Sequence, residues 1–398
     1  MKIIFLIDAN FSNREYERFG FFEMLNENIE LQIFDFRKLK LGGWNSEEGF
    51  ESDGYDERVK RINLISPDQV VKISHELIGA FVIDNRSGTY DKYTTSWFKS
   101  VGAYVVELDQ GLVPTSIWNP SVVDLIIMSK NTFINHGLFS LLSQVTNYLI
   151  NRFQSKNLSE VNPQCRNIKV CSGAISNCSG GEYEIRSHAF DYDIYLQQKD
   201  ENSINKQDNY AVFLDSGVVS HPDSQRLGVE GVSKKGETDN TYYPAINSFF
   251  EDFEKKTGMP VVVALHPRII ISKELISQYG EREVIANDTS RLVKNSKIVI
   301  VHNSTSMNFA VLWNIPILII TTTLIDRFNY STMKSIEDVF NTKRININKP
   351  YKDKDYIKIS GDTVAQYQFY MENLIKTKNS PQVNSATILI NGLKEYVQ

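Results

Sequence analysis

The chain has 398 residues, 41% of them hydrophobic and 23% charged, enough for two domains of roughly 150–200 residues with a core each. Its 43 Lys and Arg against 48 Asp and Glu give a net charge of −5, which argues against a general nucleic-acid binder. The longest apolar stretches fall far short of the ~20 residues that a membrane-spanning helix needs.

Met1–Ile7 is one short apolar run that meets Asp8 at once, so it reads as a first strand and not as a signal peptide. A polar loop at 8–13 and a helix-like stretch from Glu15 to Leu25 follow, then a second strand at Leu31–Phe36. After a polar, Gly-containing insertion at 42–55, the stretch Ile65–Ile78 is predicted helical, opened by Ser66-Pro67-Asp68 as N-cap and first-turn Pro. Ala80–Asp84 and Ala103–Leu108 are further strands, with a helix near 93–101 between them. Val122–Met128 is predicted as another strand and Phe139–Phe153 as a helix. Short apolar runs alternating with helices mark βαβ units and a parallel sheet.

Residues 151–208 break this pattern with polar segments, and 156–208 reads as a linker with irregular strands or loops. From Tyr210 the alternation resumes. Strands are predicted at Tyr210–Leu214, Pro260–Leu265, Lys297–Val301 and Ile315–Ile320. Helices are predicted at Tyr243–Thr257, where Ile246, Phe249, Phe250 and Phe253 repeat at helical spacing, and at Ser306–Trp313, Thr363–Lys376 and Ser385–Val397. The expected division is an N-terminal Rossmann-like domain at 1–155, a C-terminal one at 209–375, and a C-terminal helix at 376–398 that returns to the first domain. In such α/β halves the carboxyl ends of the strands face a ligand.

The motifs with chemical content stand at those strand ends. His302-Asn303-Ser304-Thr305-Ser306 follows the β-branched run 298–301 and precedes a helix. Hydroxyls at a helix start add donors to its unpaired N–H groups, which makes a phosphate cradle without a Gly-rich loop. One N-cap would account for one of them, but three in succession behind a His exceed what capping requires. His266-Pro267-Arg268 follows Val261–Leu265 directly; Pro267 constrains His266 to extended backbone at the sheet edge. There His266 can donate to a phosphate or act as general acid, and Arg268 can pair with a phosphate or carboxylate. Asp215, in Leu214-Asp215-Ser216-Gly217, is either a base or the cap of an Asx-type turn. His221-Pro222-Asp223 repeats the His-Pro pair in a loop. In the first half Asp8, Asn10, Arg14, Asp84 and Arg86 follow strands and are candidates for an acceptor site. Asp191-Tyr192-Asp193 reads as a solvated turn or strand before a metal site. Cys165, Cys171 and Cys178 form no Cys-x-x-Cys pair, and their odd count suggests free thiols in a reducing cytoplasm. A metal shared with His188 is the less favoured alternative. Serine-hydrolase, Walker and dinucleotide fingerprints are lacking.

The order of these motifs, Leu214-Asp215-Ser216-Gly217, His266-Pro267-Arg268 and Ser304-Thr305-Ser306, resembles that of bacterial sialyltransferase-like and Kdo-transferase-like enzymes of GT-B fold. The opening 13–20 and the blocks 243–268 and 302–312 also resemble proteins encoded in surface-polysaccharide gene clusters, so the likeness spans most of the chain. Ser216 stands where the acidic-Asp-Gly motif of those families carries Asp. The resemblance implies two tandem Rossmann-like domains facing across a cleft. It further implies Asp215 as acceptor base, and His266 with Ser304 and Thr305 on the donor phosphate.

The expected activity is metal-independent transfer of a sugar from a nucleotide donor onto a bacterial surface glycan or lipid-linked acceptor. The donor would be a CMP-linked nonulosonate or Kdo-type sugar, a substrate and not a resident cofactor. His302, Ser306, Pro267 and Arg268 complete its phosphate and nucleotide set. The alternatives are a UDP-sugar enzyme of the same fold, either a hexosyltransferase or a 2-epimerase, and a non-catalytic scaffold for polysaccharide assembly. The expected setting is the cytoplasm, at the inner membrane face if anywhere on a membrane. Peripheral membrane contact and homo-oligomerisation are compatible with the sequence but not demanded by it.

Overall fold

The computed structural model describes residues 1–8, 11–37, 56–65, 67–85, 100–116, 120–131, 167–175, 181–200, 208–219, 239–267, 269, 271–352 and 363–398. The helices expected at 139–153 and, for the most part, at 93–101, and the insertion at 42–55, lie outside them. The chain divides into two units. One holds Met1–Gly111, Leu158–Leu196 and Lys376–Gln398; the other holds Leu112–Asn157 and Gln197–Ile375.

The first unit carries a seven-stranded sheet of order β3-β2-β1-β4-β5-β6-β7. Its strands are β1 Lys2–Ile7, β2 Glu30–Asp35, β3 Lys60–Asn63, β4 Phe81–Asp84, β5 Tyr104–Asp109, β6 Asn167–Cys171 and β7 Tyr183–Arg186. Every pairing is parallel. In β1, residues 3–7 are all buried, as a strand covered on both faces requires. The segment 156–208, expected as a linker with irregular strands or loops, supplies two strands of this sheet, β6 and β7, and the unexpected helix Phe190–Lys199. Those strands run toward the sheet edge and interleave Lys169, Glu184 and Arg186 with apolar residues, so they lack the uniform apolar run of a central strand.

The helix expected from Glu15 to Leu25 is two helices, Asn13–Arg18 and Phe21–Asn26, separated by Gly20 in left-handed conformation at φ +67°. A Cβ on Gly20 would lie 1.9 Å from the Cβ of Ala386. This close approach brings in the C-terminal helix Ser385–Val397, whose Ile388, Leu389 and Leu393 join the core of the first unit. A buried polar network holds the segment that leads to it. Ser380 Oγ donates to the Ser187 carbonyl at 2.7 Å, Gln110 donates to the His188 carbonyl at 2.8 Å, and Asp193 accepts from the Ser385 amide at 2.8 Å. Asp193, read from sequence as part of a solvated turn, is therefore an internal anchor.

The second unit carries a six-stranded parallel sheet of order β10-β9-β8-β11-β12-β13. Its strands are β8 Ala211–Leu214, β9 Val261–Leu265, β10 Val284–Ala286, β11 Ile298–Val301, β12 Ile317–Thr321 and β13 Ile345–Asn346. Strands β8, β9, β11 and β12 are buried throughout, which is why each reads as a continuous apolar run. The edge strands β10 and β13 are too short to show in the sequence. The helix Asp239–Thr257 lays Tyr242, Ile246, Phe249, Phe250 and Phe253 into the core. Val122–Met128, expected as a strand, lies in a helix over 122–131. Two parallel-sheet α/β domains are the result.

Both sheets reverse their winding once, between β1 and β4 in the first and between β8 and β11 in the second. The carboxyl ends of the strands flanking such a reversal open a crevice where ligands bind. Among the described residues no helix is long and apolar enough to cross a membrane.

Candidate functional site

The reversal in the second sheet brings three sequence candidates to one edge. Leu214 at the end of β8 is level with Ala264 of β9 and with Val301 of β11. Asp215 therefore follows β8 between His266, just beyond β9, and His302, just beyond β11; its amide donates to the Ala264 carbonyl at 3.0 Å. Two strand spacings put ~10 Å between the backbones of His266 and His302, about the span of a bound phosphate with a hydrogen bond to either side. His266 is half-buried, and its carbonyl accepts from the Ile269 amide at 2.9 Å, closing a turn over 266–269. Pro267 lies in that turn, half-buried; Arg268 lies outside the described residues.

Asp215 is 4% exposed. Its Oδ1 accepts from the Gly217 amide at 2.8 Å, and Gly217 takes φ +68° to make that bond, so the Asx-type turn exists. Only one oxygen is committed to it. Oδ2 is buried without a hydrogen bond, as are the neighbouring Ser216 Oγ and the Tyr279 hydroxyl. Tyr279 is close enough to act on the carboxyl electrostatically, yet the pair lacks the geometry of a formed hydrogen bond. Burial pushes the Asp215 carboxyl up to about 6, opposed by the Gly217 amide and Tyr279. Burial, and then the neighbouring Asp215, hold the Tyr279 hydroxyl well above the usual phenol range. Buried polar atoms without a formed hydrogen bond thus stand at the end of β8, two of them, Asp215 Oδ2 and the Tyr279 hydroxyl, acting on one another.

His302 does not project from that edge. It is fully buried, its Nδ1 at 2.8 Å from the Ile320 carbonyl and its Nε2 at 2.9 Å from the Tyr242 hydroxyl. A carbonyl only accepts, so Nδ1 carries the proton and Nε2 accepts from Tyr242. Burial lowers the ring to about 4 and keeps it neutral. With both nitrogens used, His302 braces β11 against β12 and the helix Asp239–Thr257.

The hydroxyl turn is partly self-contained. Ser304 Oγ accepts from the Ser306 amide at 3.2 Å, and the Ser304 and Thr305 carbonyls accept from the Met307 and Asn308 amides. Ser306, the residue before the helix Met307–Leu312, makes no side-chain cap. Thr305 is exposed and Ser304 and Ser306 are half-buried, so the hydroxyls of Thr305 and Ser306 are the ones not taken up in capping.

In the first unit Asp8 and Asp84 come together at the reversal. Asp84, the last residue of β4, is level with Leu6 of β1, and the Asn85 amide donates to the Leu6 carbonyl at 3.0 Å. Both acids are half-buried. Arg14 pairs instead with Glu15 at 3.1 Å, whose carboxylate caps the helix start by accepting from the Ser12 amide at 3.0 Å. Asn10, Arg86 and 221–223 lie outside the described residues. On the neighbouring β2, Asp35 accepts from Arg37 at 2.6 Å and from Arg61 at 2.9 Å. That buried ion group was not foreseen from sequence.

Tyr242 and Tyr279 were missed as well. Each looks like an ordinary core aromatic, and only the fold brings residues 242, 279 and 302 against the end of β8. Cys171, expected as a free thiol, is disulfide-bonded; Cys165 and Cys178 lie outside the described residues. An odd count leaves room for one bridge and one thiol. Among the described residues no cluster of His, Cys, Asp and Glu is arranged to hold a metal ion.

No family model and no curated protein sequence matches the chain. Among solved structures, the wall teichoic acid polymerase TagF is similar over 100% of this chain and 89% of its own, at 12% identity and a TM-score of 0.49. A putative UDP-N-acetylglucosamine 2-epimerase from Listeria monocytogenes is similar over 100% and 96%, at 11% identity and TM-score 0.45. MurG from Acinetobacter baumannii is similar over 99% of both chains, at 6% identity and TM-score 0.45. The functional reading rests on the site itself.

Proposed function

We propose that the protein is a nucleotide-sugar-dependent glycosyltransferase of GT-B type whose donor phosphate lies at the carboxyl edge of the second sheet. The observation that carries this reading is the reversal point between β8 and β11, which sets Asp215 between His266 and the 302–306 turn. The donor is a CMP-linked nonulosonate or Kdo-type sugar, and the acceptor is a surface glycan or lipid-linked glycan. The acceptor belongs to the carboxyl edge of the first sheet, where Asp8 and Asp84 stand.

The acceptor oxygen attacks the anomeric carbon and loses its proton, for which Asp215 is the base at this edge. With the carboxyl raised to about 6, the group is mostly ionised at neutral pH and still basic enough to accept it. The bond from the anomeric carbon to the phosphate oxygen breaks, and the nucleotide leaves with the electron pair. His266 and the hydroxyls of Thr305 and Ser306 stabilise that charge, with Arg268 as a further partner by sequence. The reading keeps the chain in the cytoplasm; the Cys171 disulfide, unusual in that compartment, stands against it.

Thermal unfolding with CMP, UDP and GDP tests the assignment. At a hundredfold excess over its dissociation constant the matching nucleotide adds about 2.7 kcal/mol, and His266→Ala and Thr305→Ala should reduce that gain. Stabilisation by UDP alone moves the protein to the UDP-sugar alternative. No response to any nucleotide removes the transferase reading and leaves a scaffold.

A further inference from the structure

Tyr279 is fully buried, and its place beside the end of β8 is fixed from several sides. Its amide donates to the Ile276 carbonyl at 3.1 Å, which carries the turn of the helix Lys273–Ser277 onward. Asn247, on the helix Asp239–Thr257, donates to the Gln278 carbonyl at 2.7 Å. Arg282 donates to Asn247 at 3.0 Å and to Glu254 of the same helix at 2.8 Å. The ring of Tyr279 packs edge-on against Tyr243, with centroids 5.3 Å apart. The segment is thus fastened on both sides of residue 279, and the hydroxyl at the tip of the ring is left without a formed hydrogen bond. A phenylalanine would fill the same space with no hydroxyl to desolvate, so packing alone gives no reason for the oxygen.

We propose that Tyr279 is a positioning residue for Asp215: its hydroxyl donates to Oδ2 of the ionised carboxyl, whose Oδ1 the Gly217 amide already holds. The inference rests on the reading of Asp215 as the base of the transfer. Location is the first argument. Asp215 Oδ2 and the Tyr279 hydroxyl are both buried and unbonded, and each acts on the other. Complementarity is the second. An ionised carboxylate only accepts and the hydroxyl can donate, so each supplies what the other lacks. The titratable groups that act on the hydroxyl are Asp215, Tyr242 and Tyr243, of which Asp215 is the carboxylate. Ser216 Oγ, also buried and unbonded, is the competing donor. With both oxygens tied, the carboxyl plane cannot turn, and each oxygen keeps a second lone pair for the acceptor's proton. Bonds of this kind commonly tighten only once the reacting groups are in place.

Urea denaturation between pH 4 and pH 9 of the wild type, Asp215→Asn, Tyr279→Phe and the double variant tests the pair without any substrate. The difference between a protein with Asp215 and its Asn counterpart follows the carboxyl, whose stabilising share is lost as pH rises through about 6. Loss of a donor disfavours the ionised form, so with Tyr279→Phe this decline should run about one pH unit higher. Difference curves that superpose overturn the proposal, since a tyrosine that merely packs would give that result. So does a shift produced by Ser216→Ala and not by Tyr279→Phe. Release of CMP from CMP-N-acetylneuraminate is the second readout. Tyr279→Phe should lower kcat about fivefold at pH 6 and hardly at pH 8, with KM little changed. Release that Tyr279→Phe leaves unaltered at pH 6 overturns the positioning role. A shifted stability curve with no release by any variant sinks the donor reading and upholds the pair; release beside an unshifted curve does the reverse.

Discussion

Asp215→Asn separates the carboxyl's cost from the rest of its surroundings. The substitution keeps shape and keeps an oxygen for the Gly217 amide, while it removes the charge. The wild-type carboxyl rises from 3.8 to about 6 on folding, roughly two pKa units, or about 3 kcal/mol. The folded protein holds this proton more tightly than the unfolded chain, so stability falls as pH rises. The contribution is complete below about pH 4, is lost between pH 4 and 6, and is absent at pH 8. The Asn variant has no such loss. Measured by urea denaturation, its stability relative to wild type should therefore increase by about 3 kcal/mol between pH 4 and pH 8. In thermal unfolding that corresponds to roughly 6–12 °C. Other titrating groups are shared and cancel in the difference. A difference that stays flat across this range would refute the claim that burial loads the carboxyl. Gain of stability with loss of transfer activity is the pattern expected when a charge is buried for function.

His302 should show the opposite sign. Its ring falls from 6.5 to about 4 on folding, so its contribution is present above pH 6.5 and lost as pH falls toward 4. Relative to His302→Gln, the wild type should lose roughly 3 kcal/mol over that range, read by the same urea titrations. In the wild type the two trends largely cancel, so each shows only in its own variant. Gly20→Ala should cost about 2–4 kcal/mol through the clash with Ala386 and the left-handed backbone. Adding Ala386→Gly should recover the clash but not the backbone strain, and unfolding free energies of the single and double variants check this.

The strands covered on both faces were legible in the chain. Residues 3–7, 211–214, 261–265, 298–301 and 317–320 are uninterrupted apolar runs because parallel strands between helix layers face no water. For the same reason the polar residues directly after them, Asp8, Asp215 and His266, marked the carboxyl edges without any structure. Strands at or next to an edge were not legible, since β6 and β7 alternate polar with apolar and β10 and β13 are only three and two residues long. The run 122–128 misled because its aliphatics face outward from a helix pinned by Asp124, an arrangement no periodicity announces. Tertiary structure alone decided which His faces a ligand. His266 stays at the edge, whereas His302 is drawn inward by Tyr242, sixty residues away along the chain, and by the Ile320 carbonyl. Local sequence carries propensity and burial, which depend on neighbours a few residues apart. Hydrogen-bond partners and pKa shifts depend on groups that only the winding of the sheet brings together.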